Sequence, residues 1–503
     1  MKTPVVESTP RSRTSRTHPL MIAEVRSTGE RGLIGVTFAP GKKQRYAATG
    51  SWDRDLATDL DAIAAWNAAA VVSLVEAHEL TALQITDLGG EVRRRHMEWH
   101  HWPIVDVSVP CESFEASWSE GSQGIQALLD AGSNVLIHCK GGLGRAGMIA
   151  ARLLVQLGTD PAEATASVRA VRPGAIQTPS QEAWVRAGRV AAPIQPSLLG
   201  DAVRDRARGA LLGLAVGDAV GTTIEFTPKP DYTLIDDMVG GGPFQLKPGE
   251  WTDDTAMALA LADSLLAHPR FDASDLMTRF ISWRDEGTYS CTGRCFGIGN
   301  TVRDALARFE RTGNPLAGST DPFSAGNGAL MRLSPVAIRY GSNRATMREV
   351  AALQTRTTHG AEEAVEVSVL FADMLADAIS GLRRDQVLSA RSVAFSPKVQ
   401  AIATGASWRG RARHEIVGSG YVVDCLNAAL WAVSRTTSFR SAVLLAANLG
   451  QDADTTAAVA GQLAGALYGA SGIPEEWLAR LAWRERIEGM ADQLVLATDA
   501  GVL

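Results

Sequence analysis

Two short segments some two hundred residues apart constrain this chain more than anything else in it: Thr252-Asp253-Asp254-Thr255 and Asp452-Ala453-Asp454-Thr455-Thr456. Each opens an apolar run with helical spacing, Met257, Leu259, Ala260, Leu261, Leu265 and Leu266 after the first and Ala457 to Leu467 after the second. A helix N-terminus is satisfied by one capping oxygen and gains from a nearby negative charge. Each start here carries two carboxylates and two hydroxyls, which is more oxygen than capping uses. Two well-capped helices are one reading of these turns. The other is a fold that brings the starts face to face around a hard-oxygen cage. Carboxylates and hydroxyls without His or Cys select Mg²⁺ or Mn²⁺ over zinc, and five or six such ligands hold a pair of ions.

A chain of 503 residues has length for two domains, each with a sizeable core. Its acidity is unevenly placed. Residues 1–200 carry 20 basic and 20 acidic side chains, so the net charge of -6 belongs wholly to residues 201–503, with 29 basic and 35 acidic. An acidic second half suits cation binding and disfavours nucleic acid. Five cysteines without regular spacing argue against a disulfide framework and for a reducing, cytoplasmic setting; Cys291 and Cys295, the one close pair, read as free thiols. No segment has the ~20 continuous apolar residues of a membrane span, and the N-terminus lacks a signal peptide's apolar core. Residues 1–20, rich in Thr, Ser, Arg and Pro, are expected to be a disordered tail.

Residues 21–190 read as an α/β domain. Asp53 to Ala65 has helical spacing, Ala70 to Val75 reads as a buried strand, Gly124 to Leu129 as helical, and Asn134 to His138 as a second buried strand. After that strand the chain turns through Cys139-Lys140-Gly141-Gly142-Leu143-Gly144-Arg145 into a helix expected from about Ala146 to Leu157. Strand, glycine-rich loop and helix form a phosphate cradle. Gly141, Gly142 and Gly144 free backbone N–H groups to point inward, the helix dipole adds positive potential, and Arg145 grips two phosphate oxygens through its planar fork. A cysteine at the base of such a cradle is held as thiolate, a nucleophile toward phosphorus. With His100-His101-Trp102-Pro103-Ile104-Val105-Asp106 before it and Gly174 to Thr178 after it, the segment resembles the dual-specificity branch of the cysteine phosphatases. The resemblance makes Cys139 the nucleophile, Arg145 the phosphate clamp, Asp106 the general acid and Gln177 the residue that positions the hydrolytic water. One departure matters. The family has Ser or Thr directly after the arginine, where its hydroxyl stabilises the departing thiolate, and here Ala146 stands there. That implies either slow hydrolysis of the phosphocysteine or a domain whose main task is to bind a phosphorylated ligand.

A proline-containing linker, 191–203, leads to residues 204–503, where long Ala- and Leu-rich stretches of helical period imply an all-α domain. Gly209, Gly213, Gly217 and Gly221 recur at four-residue spacing, which lets helix backbones approach closely, and Asp218 among them reads as a helix-end hydrogen-bonding residue. The segments Arg208 to Phe226, Cys291 to Thr301, Gly326 to Ile338, Gln354 to Gly360 and Gly418 to Ala432, in this order around the two acidic starts, resemble the ADP-ribosylglycohydrolase family of the dinitrogenase reductase-activating type. By that resemblance Thr252, Asp253, Asp254, Asp452, Asp454 and Thr455 hold two magnesium ions. Glu225 is an acid close to them, and Asn327, Gly328, His359, Gly420 and Tyr421 wall the ADP-ribose pocket, with Tyr421 the candidate for stacking on adenine. Gln451 stands where many relatives have glycine.

The function these resemblances imply is Mg²⁺-dependent hydrolysis of the glycosidic bond of an ADP-ribosyl adduct, on protein or small molecule. In the same chain they imply a cysteine-dependent phosphatase or phospho-ligand-binding domain. Metal ions that grip the two adjacent ribose hydroxyls fix the sugar. Glu225 and Asp254 are both candidates for the carboxylate that aids the leaving group or steers the water. The alternative is a protein that binds phosphoprotein and senses ADP-ribose with little turnover. Neither nucleic acid nor membrane is an expected partner.

Overall fold

The computed structural model describes residues 12–27, 29, 31–47, 50–188, 199–227 and 233–499. The chain divides into two compact units, Met1–Ile194 and Gln195–Leu503.

The first unit is built on a five-stranded sheet of β1 (Ala23–Val25), β2 (Ile34–Phe38), β5 (Ala68–Ser73), β6 (Glu98–His101) and β7 (Asn134–Cys139), in the order β1-β2-β7-β5-β6. Only β1 runs antiparallel; β2, β7, β5 and β6 are parallel. Every residue of β5 is buried, as the uninterrupted apolar run of a strand covered on both faces requires. Alternate residues face opposite cores: Val72 and Ile137 pack with Met148 and Leu153, Val71 and Leu136 with Leu60 and Ile63. Cys139 ends the central strand, paired in register with Phe38 of β2, at the carboxyl edge where ligands of parallel sheets bind. β3 (Lys43–Ala47) and β4 (Gly50–Asp53) form a separate hairpin. It is mostly polar, so no apolar alternation announces it. Two expectations change in the structure. The helix expected at Gly124 to Leu129 runs over Glu112–Asp130. Of the tail expected at 1–20, residues 1–11 lie outside the described residues, and the following stretch is pinned. Arg13 bridges Trp52, and the Asp53 amide donates to the Arg13 carbonyl at 3.0 Å.

His138 lies beside the nucleophile position in β7, with no exposure and a 2.7 Å hydrogen bond to Ser73 Oγ. Burial pushes its imidazole down to about 3. The folded unit therefore stays unprotonated where the unfolded chain, titrating near 6.5, takes up a proton. Stability from this group is complete above pH ~6.5 and declines below it by about 1.4 kcal/mol per pH unit. Calorimetry of the first unit's transition should show that decline between pH 6.5 and 5, flattened in His138→Asn.

The second unit is helical, as expected. Its first helix, Leu199–Gly221, begins inside the stretch expected as linker, 191–203, of which 191–198 lie outside the described residues. This helix packs along Ala453–Tyr468 at backbone distance. A Cβ on Gly213 would lie 2.2 Å from the Gly461 carbonyl oxygen, and one on Gly465 would lie 1.8 Å from that of Gly209. Four-residue glycine spacing thus serves a close-packed helix pair. The seam ends at Gly221, whose Cβ would lie 2.5 Å from Asp454 Cα, so it also sets where the second acidic start stands. Among the described residues no helix is long and apolar enough to cross a membrane.

Candidate active sites

The two acidic helix starts meet. Thr252 Oγ1 lies 3.4 Å from Asp454 Oδ2, and Thr455 Oγ1 lies 3.4 Å from Asp254 Oδ2, a reciprocal pair across 202 and 201 residues of chain. Capping accounts for little of this oxygen: the N-cap residue Thr252 makes no side-chain cap bond, and of the acids in the two starts Asp454 takes the Thr455 amide at 2.7 Å. Helix Asp253–Ala267 is capped from outside by Asp218, which accepts from the Thr252 and Thr255 amides at 2.9 and 3.0 Å and from both hydroxyls at 2.9 and 2.6 Å. Asp452 stands at the N-cap of Ala453–Tyr468 and makes no side-chain cap bond. Asp218 therefore does bond a helix end, as read from sequence, but that of a neighbouring helix.

Asp254, Asp454 and Glu225 are buried; Asp253 and Asp452 are partly open to solvent. Burial, with neighbouring carboxylates adding to it, pushes Asp254 and Asp454 well above the usual range. It also pushes Asp218 up to about 6, Asp253 to about 7 and Glu225 to about 8. Among the described residues no lysine or arginine pairs with any of them. Glu225 Oε2 and Asp254 Oδ1 are buried without a hydrogen-bond partner, which is costly for a carboxylate oxygen. Among the described residues the side chains are not already drawn around one point as a finished metal cage. The donor set nevertheless fits a hard divalent cation, since it is all oxygen, anionic, and short of positive charge.

The expected pocket wall gathers at Asp452. Asn327 Nδ2 donates to Asp452 Oδ2 at 2.6 Å, the Asn327 amide donates to the Gly420 carbonyl at 3.0 Å, and the Asp452 amide donates to the Gly418 carbonyl at 3.0 Å. His359 lies beneath this loop: a Cβ on Gly328 would lie 2.8 Å from its ring, and its Nδ1 pairs with Thr358 Oγ1 at 2.9 Å. Burial pushes it down to about 3, so it is a neutral support. Tyr421 bridges Gly326; its hydroxyl donates to Glu363 and accepts from Lys398 Nζ at 2.9 Å, with that ammonium 5.1 Å from its ring. On the other flank Gln451 takes φ 61°, the left-handed region that favours glycine, and its carbonyl accepts from the Phe226 amide at 2.7 Å. Cys291 and Cys295 are free thiols, as read from sequence.

In the first unit, helix Gly144–Gln156 begins at the last glycine of the loop, which puts Arg145 in its first turn. Gly142 has φ 66° and lies against β2; a Cβ there would be 2.4 Å from the Thr37 carbonyl carbon. Gly141 has open space before it, and Gly144 faces Gln177, whose Oε1 would be 2.6 Å from a Cβ. Arg145 is buried and held by a fork of two bonds to Glu79, 2.6 and 3.0 Å, with Asp106 Oδ1 2.9 Å from its Nη2. Asp106 itself is exposed on its loop. Cys139 and Ala146 are both buried in the same core.

Three residues of this site escaped the sequence reading. Glu79, besides holding Arg145, closes a capping box with Glu76 at the start of its own short helix. Arg172 braces the loop, donating to the Gly142 and Gly141 carbonyls at 2.9 and 3.2 Å. Lys42 is buried with its Nζ 3.4 Å from the Lys140 carbonyl oxygen. Each is remote in sequence from the loop it serves, and no spacing rule connects them.

Residues 199–501 match the family model for ADP-ribosylglycohydrolase, and residues 49–185 match that of the Swiss Army Knife protein, DSP-PTPase phosphatase domain. The ADP-ribosylarginine hydrolase Tri1 of Pseudomonas putida is 48% identical over 291 residues, 58% of this chain and 78% of that protein. The ADP-ribosyl-[dinitrogen reductase] glycohydrolase of Rhodospirillum rubrum is 36% identical over 299 residues, 56% of this chain and 92% of its own. A solved ADP-ribosylglycohydrolase-related protein complex superposes with TM-score 0.53 at 41% identity, covering 59% of this chain and 99% of that one. With a family model spanning more than half its length, the chain belongs to the ADP-ribosylglycohydrolase family and is a hydrolase that carries a dual-specificity-type phosphatase domain ahead of its glycohydrolase domain.

Proposed function

We propose that the second unit releases ADP-ribose from ADP-ribosylated arginine, cutting the bond between the anomeric carbon of the distal ribose and the guanidinium nitrogen. The observation that carries this is the reciprocal threonine–aspartate pair, which turns two helix starts into one oxygen-lined site with unpartnered buried carboxylate oxygens. The choice of arginine rests on the Pseudomonas putida relative. Magnesium, two ions with manganese able to replace them, would be held by Thr252, Asp253, Asp254, Asp452, Asp454 and Thr455. When bound, such ions would supply positive charge for the ribose hydroxyls and for a water. The remaining chemistry is this chain's own. Asp452 is oriented by Asn327 at 2.6 Å, and the loop around Gly328 rests on His359, so the pocket wall is fixed before substrate arrives. Of the two candidate carboxylates, both buried with an unpartnered oxygen, Glu225 stands outside the proposed ligand set and would give a proton to the leaving nitrogen, a contribution of typically ~10²–10⁴-fold.

For the first unit we propose hydrolysis of a phosphomonoester through Cys139, with Arg145 preset by Glu79 to clamp the phosphate and Asp106 beside it as acid. The buried Ala146 favours a second reading for this unit, capture of a phosphorylated ligand with slow release.

Free ADP-ribose released from arginine-linked and serine-linked peptides, with Mg²⁺ and with a chelator, tests the main reading. Metal-dependent release from the arginine linkage alone is the expected result. Release from the serine linkage alone, or release indifferent to chelator, overturns it.

A further inference from the structure

Lys42 is 4% exposed, and among the described residues no carboxylate lies within ion-pair distance of it. The other cations around the cysteine cradle are accounted for. Arg54 is forked onto Asp59 at 2.7 Å through each of two nitrogens, Arg145 onto Glu79 with Asp106 at its side, and Lys140 lies 3.9 Å from Glu79. Arg172 is occupied by two loop carbonyls. The Lys42 ammonium has the Lys140 carbonyl at 3.4 Å and the rings of Phe38 and Trp52 at 4.8 and 4.6 Å. Phe38 is the register partner of Cys139, and Lys140 follows Cys139 in the chain, so this charge is anchored to the cradle from both sides. Burying an unpaired ammonium costs several kcal/mol, which points to an anion that is present only during the chemistry. Burial draws Lys42 down to about 8, with Cys139 the group that pulls it the other way, so it still carries its proton at neutral pH.

We propose that Lys42 supplies at this cradle the stabilisation of the departing Cys139 sulfur that the hydroxyl after the arginine gives other cysteine phosphatases and that Ala146 cannot give. The proposal rests on the phosphatase reading of the first unit. Water attacks phosphorus of the phosphocysteine, the P–S bond breaks with its electron pair going to Sγ, and orthophosphate leaves. The proton of the water goes to Asp106. The new thiolate is met by the Lys42 ammonium. Because Lys42 acts on charge at sulfur, its loss should lower the reactivity of Cys139 while every folded molecule still forms the phosphocysteine, whereas a folding defect would lower the number of competent molecules.

The test uses the full-length protein as Lys42→Met and Lys42→Arg, with Cys139→Ser as blank. Alkylation of Cys139 by iodoacetamide at pH 7, followed by peptide mass spectrometry, needs no turnover; it should slow about tenfold in Lys42→Met and recover in Lys42→Arg. With an aryl phosphate, Lys42→Met should keep the amplitude of a burst of one product per enzyme, while the burst slows, steady-state release falls about tenfold and phosphocysteine persists between turnovers. Unchanged alkylation in Lys42→Met overturns the assignment of Lys42, as does loss of the burst amplitude. An aryl phosphate left intact by the wild-type protein overturns the phosphatase reading instead.

Discussion

Asp254→Ala should cut the release of ADP-ribose by roughly 10²–10⁴-fold while raising, not lowering, the thermal stability of the metal-free protein. Asp254 Oδ1 has no partner, and burial, with neighbouring carboxylates adding to it, holds the pKa of the group well above the usual range. At neutral pH the folded chain must keep a proton there or accept the repulsion, and the unfolded chain bears neither cost. Removing the carboxylate removes that penalty. Each kcal/mol recovered moves the transition up by about 2–4 °C in a domain of this size. Magnesium should reverse the order. At a hundredfold excess over Kd it should stabilise the wild type by about 2.7 kcal/mol and the variant by little. Calorimetry with and without chelator reads both effects. A fall in metal-free stability would show that Asp254 serves the fold and not an ion.

The second large effect is expected at the glycine seam, where backbone meets backbone. Gly465→Ala places a methyl 1.8 Å from the Gly209 carbonyl oxygen and 2.4 Å from its carbon, and backbone on both helices leaves no side chain that can yield. Leu199–Gly221 and Ala453–Tyr468 must separate, at a cost of at least ~3 kcal/mol, the upper end for overpacking. The same separation draws Asp454 away from Thr252, so residual folded protein should also lose activity. Gly489→Ala, in helix Arg484–Asp499 with nothing within 4 Å, is the control. It should gain up to ~1 kcal/mol from helix propensity. Equal denaturant midpoints for the two variants would contradict the close-packed seam.

The sequence made some of this legible because the relevant physics is local. Cys139 to Arg145 encodes its cradle in one loop, and the surplus oxygen at Thr252 to Thr255 and Asp452 to Thr456 is visible without knowing what faces it. Other features depend on distance. Glu79 reaches Arg145 across 66 residues and reads locally as a cap. Lys42 follows a strand whose neighbour in the sheet is almost a hundred residues on, and its isolation from carboxylates exists only in three dimensions. The hairpin of β3 and β4 was invisible because mostly exposed polar strands carry no apolar alternation. Tyr421, the candidate for stacking on adenine, has surroundings that no local pattern shows. Its hydroxyl is already committed to Glu363 and Lys398, partners from two further helices.

Thr252 reaching for Asp454, and Thr455 for Asp254, makes each half of the centre hostage to the other. Losing a threonine from one helix start leaves a carboxylate of the other without its hydroxyl donor, and losing an aspartate leaves a hydroxyl without its acceptor, so the two segments work as one unit despite the two hundred residues between them. Breeding new substrate preference into this scaffold by shuffling its halves from different parents would mostly yield mismatched chimeras, whereas crossovers that carry both starts from the same parent keep the lock intact.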